Sequence, residues 1–302
     1  DRSVSRGLGD VYKRQLLHRP RLPVLSLLLN LLIRKEVLSN ISRFFMRRRN
    51  WTVPYALFLI IFVVMPLLLI VVYAFTDAEG TFTFANFRKF MMHPESINTF
   101  VYSIGIAVIT TLVCLLLGYP AAYILSQKRF NTSQTMVVLF ILPMWVNILI
   151  RTLATVALFD FLNLPLGEGA LVFGMVYNFL PFMIYPIYNT LQKMDDSLIE
   201  AAQDLGATPV QVFGKVILPL SMPGIMSGVV MVFMPTVSTF AIAELLTMNN
   251  IKLFGTTVQE NIYNGMWNYG AALSLIMLLL IGVTALFTNE DDSAQNESGG
   301  VI

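Results

Sequence analysis

Apolar residues gather in six long runs separated by short polar stretches, near residues 53–75, 99–126, 134–159, 169–191, 220–246 and 269–287. Each run is about 20 residues or longer, the helix length needed to cross a hydrocarbon core. The pattern predicts an all-α integral membrane protein with six transmembrane helices. Ahead of them, residues 22–33 are apolar but too short to span, and no small-residue cleavage site marks a signal peptide. Residues 1–45 are therefore expected to form a poorly ordered N-terminal segment, with Met46, just before Arg47-Arg48-Arg49, as a candidate start. Residues 46–288 form the membrane domain, and residues 289–302 are expected as a flexible cytoplasmic tail.

The longest polar interruption in the second half is residues 195–219, DDSLIEAAQDLGATPVQVFGKVILP. Ser197 followed three residues later by Glu200 is a capping-box pattern. It predicts a helix over 198–205, favoured by Ala201 and Ala202 and ended by Gly206 in a left-handed conformation. Thr208-Pro209 then reads as an N-cap with an N1 proline, opening a second short helix towards Lys215. The segment is thus expected as a compact helix-turn-helix between two spans, with small residues that admit close approach by another protein.

Composition and charge refine this picture. The chain has 302 residues, 56% hydrophobic and 13% charged, against roughly 25% charged in soluble domains. Cys114 lies within an apolar run, and the only two histidines, His18 and His93, are far apart, so neither a disulfide nor a histidine metal site is indicated. The net charge of +2 matters less than its distribution. Arg34, Lys35, Arg43 and Arg47–Arg49 precede the first run, and Lys128-Arg129 follow the second. Both flanks are expected in the cytoplasm, and alternation puts residues 195–219 there too. The acidic Glu290-Asp291-Asp292 falls inside by parity, but acidic residues weigh little in this rule.

Glu200-Ala201-Ala202, three residues, Gly206, nine residues, Val216, one residue and Leu218-Pro219 resemble the EAA loop of ABC-importer permeases, with Val216 in place of the usual Ile. The resemblance implies a type I, MetI-like permease of a bacterial inner membrane, with its N-terminus and EAA loop in the cytoplasm. It further implies that Glu200, Ala201, Ala202, Asp204, Leu205 and Gly206 couple the chain to a separate cytoplasmic ATPase dimer. ATP and Mg belong to that partner and no cofactor to this chain. Gly214-Lys215 superficially matches a phosphate-binding loop, yet Pro209 replaces its first glycine and Val216 its Ser/Thr. Nucleic acid is not an expected partner.

Within the runs, Pro66, Gly118–Pro120, Pro143, Pro181, Pro186 and Pro235 are potential breakers, and interrupted helices at mid-membrane are common in transporters. Arg151 lies inside the third run, where an unpaired charge costs about 2.5–3.5 kcal/mol, so it is expected to face the interior or a wet cavity. Asp160 is nine residues on and about half a turn round, on a different face. The outer stretch of residues 76–98 places Phe87, Phe90 and Met91 at helical spacing. That suits either a helix packed on the bundle or a contact for an external partner.

Leu142-Pro143-Met144-Trp145 followed by Ile150-Arg151-Thr152 resembles a segment of polyamine permeases, and Leu180–Met183 and Met222–Ile225 continue the similarity. Glu244 takes the place of an acidic residue of the fifth span. The resemblance implies spermidine or putrescine as solute, a second homologous permease subunit and an external polyamine-binding protein. A polycation calls for acidic groups and aromatic faces along its route, and no isolated positive charge. Trp145, Asp160, Tyr177, Tyr185 and Glu244 are the candidates, and Arg151 is expected to be neutralised or to point away. The EAA loop equally allows sulfate, phosphate, iron or thiamine. An intramembrane enzyme lacks a His pair, paired Asp or Ser/Lys constellation at matching depth. An ion channel has no need of the helix-turn-helix.

Overall fold

The computed structural model describes residues 52–127 and 135–298. The N-terminal segment 1–45, Met46 and the basic flanks Arg34, Lys35, Arg43, Arg47–Arg49 and Lys128-Arg129 lie outside the described residues. The chain divides into two units, Asp1–Leu67 and Leu68–Ile302. Among the described residues every regular element is helical.

The first apolar run becomes α1 (Thr52–Leu59), a π-helical turn (Ile60–Val64) and α2 (Met65–Ala74). The π turn ends two residues before Pro66, whose ring clashes with the carbonyl four residues back in a regular α-helix. Widening the preceding turn relieves that clash. The same offset recurs where a second π turn, Phe213–Ile217, ends two residues before Pro219.

The remaining helices belong to the second unit. α3 (Ala85–Met92) turns Phe90 into a cluster with Phe100 and Phe254, at ring-centroid distances of 6.0 and 6.1 Å. It is a helix packed on the bundle, with Met91 and Met92 left outside. α4 (Pro94–Ser126) starts five residues earlier than the apolar run because Pro94, at its N-terminus, is pre-set for a helix. α7 (Glu168–Gln192) matches the fourth run and forms the centre, with 61% of its apolar window buried. Pro181 and Pro186 sit within α7 without ending it, so these two are not breakers. α7 packs against α4 and against α11 (Met222–Ser238), and the latter two also touch.

The third and fifth runs are not straight spans. The third is α5 (Thr135–Ile141), a 3-10 turn (Leu142–Trp145) and α6 (Ile148–Phe161), bent by 99°. Pro143 tightens the turn, Val146 is extended, and the Asn147 side chain caps α6 by accepting from the Leu149 N–H at 2.8 Å. The fifth run joins the helix-turn-helix through Ser221, where Pro209–Leu220 meets α11 at 61°. It is interrupted again at Thr239-Phe240 before α12 (Ala241–Thr247). α13 (Phe254–Tyr263) leads into α14 (Trp267–Ser298), which remains helical through the segment set apart from residue 289 up to Ser298. Among the described residues four helices are long and apolar enough to cross a membrane, or up to six if each bent pair is one span.

Candidate functional site

Between α7 and α11 the chain forms a small knob: α8 (Asp196–Asp204), α9 (Pro209–Val212), the second π turn and α10 (Leu218–Leu220). The start of α8 corrects the sequence expectation. Its cap is Asp195, whose Oδ1 accepts from the Ser197 N–H at 3.0 Å, so Ser197 lies inside the helix and no Ser197–Glu200 box forms. Asp195 wins because a carboxylate at the cap also meets the positive end of the helix dipole. The backbone N–H of Ser197, and then its hydroxyl, hold the Asp195 carboxyl below the usual range.

The far end of α8 follows expectation. Gly206 is left-handed, with φ of 81°. The Gly206 N–H donates to the Gln203 carbonyl at 2.8 Å and the Ala207 N–H to the Ala202 carbonyl at 3.1 Å, which is a Schellman closure. Thr208 caps α9, and its N–H donates to Gln211 Oε1 at 2.9 Å. Gly214 and Lys215 fall within the π turn.

One face of the knob is fastened inward. Ile199, Ala202, Ala207 and Phe213 pack on the main core, and Val212 and Ile217 are buried. Phe213 receives the rings of Tyr119 and Tyr123 edge-on at 5.8 and 5.9 Å, and the Tyr119 hydroxyl lies 2.9 Å from Ser221 Oγ at the bend. Beyond it, Gly224 and Gly228 press α11 onto α7. A methyl at Gly224 would sit 2.9 Å from the Pro186 carbonyl oxygen, and one at Gly228 would sit 2.7 Å from Met183 Sδ. This is the small-xxx-small contact of packed membrane helices.

The other face is open. Leu205 is 89% and Val210 81% exposed, with Leu198 also outside. Glu200, Ala201, Asp204 and Gly206 are exposed, while Ala202 faces the core. Asp196, Glu200 and Asp204 form an acidic row at four-residue spacing.

The five candidates for a solute route are dispersed. Trp145 is 88% exposed on the 3-10 turn. Asp160 is exposed in the last turn of α6, Tyr177 and Tyr185 are partly exposed on α7, and Glu244 is half-buried on α12. Tyr177 alone among them lines a cavity of about 380 Å³ bounded by Leu142, Pro143, Val146, Ile150 and Arg151. Arg151 is buried and borders this cavity, as expected of a charge that faces the interior or a cavity rather than lipid. Its Nη1 donates to the Asn178 carbonyl at 3.3 Å. Sequence reasoning passed over Tyr119, Tyr123, Ser221 and Asn178. The four-residue spacing of the two tyrosines and the Gly224–Gly228 pair were the signals available.

Residues 115–289 match the family of binding-protein-dependent transport system inner membrane components, and the chain belongs to that family. It is similar to the spermidine/putrescine transport system permease protein PotB of Escherichia coli (strain K12), with 32% identity over 252 residues, 76% of this chain and 91% of that protein. PotB of Haemophilus influenzae is 32% identical over 249 residues, 74% of this chain and 87% of that protein. The fold also matches a bacterial ABC transporter that imports the acidic polysaccharide alginate, with a TM-score of 0.63, 16% identity and coverage of 86% of this chain and 99% of that one.

Proposed function

We propose that the chain is a permease subunit of an ABC importer that carries spermidine or putrescine into the cytoplasm by alternating access, with its N-terminus and knob on the cytoplasmic side. Its partners in this reading are a cytoplasmic ATPase dimer that holds ATP and Mg, a second, PotC-like permease subunit and an external polyamine-binding protein. The observation that carries the coupling role is the two-faced knob. Leu198, Leu205 and Val210 stay exposed while the opposite face is fastened to the bundle by Phe213 and Ser221. An acidic row at four-residue spacing repels itself by about 0.2–0.5 kcal/mol per pair. Glu200 and Asp204, both exposed, therefore suit a partner groove that supplies positive charge better than they suit an isolated helix.

A push on Glu200–Gly206 would pass through Phe213 to Tyr119 and through Gly224 and Gly228 to α7, rocking the centre of the bundle. Trp145, Asp160, Tyr177, Tyr185 and Glu244 are proposed to contribute to the solute route, with acids and aromatic faces serving the ammonium groups. The test is reconstitution with the ATPase, the second permease and the binding protein. Glu200→Ala is expected to leave ATP hydrolysis but lose solute-dependent uptake; normal uptake overturns the coupling role. Wild-type hydrolysis that responds to sulfate, phosphate, iron or thiamine and not to polyamines overturns the substrate assignment.

A further inference from the structure

The structure carries a buried cation that nothing in the described chain neutralises. Arg151 is 6% exposed, its Nε has no hydrogen-bond partner, and Asn178 Oδ1 beside it is likewise without one. Among the described residues the ion pair within contact distance is Lys252–Glu260 at the surface, and none involves Arg151. Asp160 cannot substitute, lying about half a turn round the same helix. The cavity in front of Arg151 has an apolar rim in which Leu142 and Ile150 are half exposed or more. A guanidinium buried beside such a rim, without a counter-charge, is uncompensated at membrane depth. A cationic solute cannot compensate it either; this step rests on the polyamine reading above.

We infer that a carboxylate of the second permease subunit enters this cavity and pairs with Arg151 beside Tyr177. The guanidinium borders the cavity with only Nη1 engaged, by the Asn178 carbonyl at 3.3 Å, which leaves donors for a carboxylate that enters there. The pair would lock the bent span at Leu142–Trp145 against the partner, making the bend part of the subunit interface.

The test uses the full transporter. Arg151→Glu is expected to lower co-purification of the second permease by at least about tenfold, as breaking a buried ion pair does. Changing one membrane-embedded Asp or Glu of that subunit to Arg should restore it. Arg151→Met combined with the matching Asn or Gln should also assemble, which covers the case in which the charge reversal alone fails to fold. Normal assembly of Arg151→Glu, or a loss that no single reversal on the second subunit rescues, overturns the inference. So does an anionic solute whose uptake is abolished by Arg151→Met. Polyamine-stimulated hydrolysis by the wild type is read separately, so failure of the substrate assignment is distinguishable from failure of the pair.

Discussion

The two bent spans solve the same problem differently. At the 61° bend, Ser221 accepts or donates to Tyr119, Phe213 is clasped by two tyrosines, and two glycines bring α11 against α7. At the 99° bend, Trp145 stands 88% exposed and Arg151 keeps an orphaned Nε. A proline accompanies both turns. What differs is whether the polar groups near the bend find partners within the chain: Ser221 does at the knob, whereas Arg151 Nε, just past Leu142–Trp145, has none among the described residues. A bend satisfied internally can transmit displacement as a unit, whereas one left unsatisfied leaves room for the partner carboxylate inferred above.

The largest effect is expected from Gly224→Val, which drives a side chain into the Pro186 backbone and Thr190. Overpacking of this kind costs about 1–3 kcal/mol and should lower the thermal midpoint in detergent. An unchanged midpoint would mean that α11 does not bear on α7. Gly206→Ala should cost about 1–2 kcal/mol in the same assay through the left-handed φ alone, because no atom lies near the added methyl. If Gly206→Asn is equally damaging, contact rather than backbone conformation governs that site. At the other bend, Asn147→Ala removes the cap of α6 and should cost about 1 kcal/mol.

Tyr119→Phe deletes the hydroxyl link to Ser221 and should cost about 0.6 kcal/mol, typical of a polar bond between membrane helices. A larger loss would show that the knob hangs chiefly on that bond. The smallest effect concerns Asp195. Its folded pKa is depressed, so the cap's contribution is complete above the ordinary carboxylate pKa of about 3.9 and fades as pH falls through the lower folded value. Limited proteolysis of residues 195–219 at decreasing pH should reveal that opening, and Asp195→Asn should remove the pH dependence.

Much of this could be read from the residues. Gly206 and Thr208-Pro209 are local punctuation, and local backbone chemistry closed α8 and opened α9 as expected. The start of α8 was misassigned because two competent caps, Asp195 and Ser197, lie two residues apart, and the carboxylate's added attraction to the helix dipole decides for Asp195. Pro181 and Pro186 looked like interruptions but lie inside α7, which continues unbroken to Gln192. Pro143, with an extended Val146 and a capping Asn147 after it, does break its span.

The sequence by itself determined the six apolar runs, the all-helical class and the two-helix knob, since hydropathy and capping act over a few residues. Tertiary structure decided which prolines bend, which face of the knob stays open, and that Arg151 borders a cavity without a counter-charge among the described residues. Those depend on contacts between residues far apart in the chain, such as Tyr119 with Ser221 and Met183 with Gly228, and no local pattern specifies such distances.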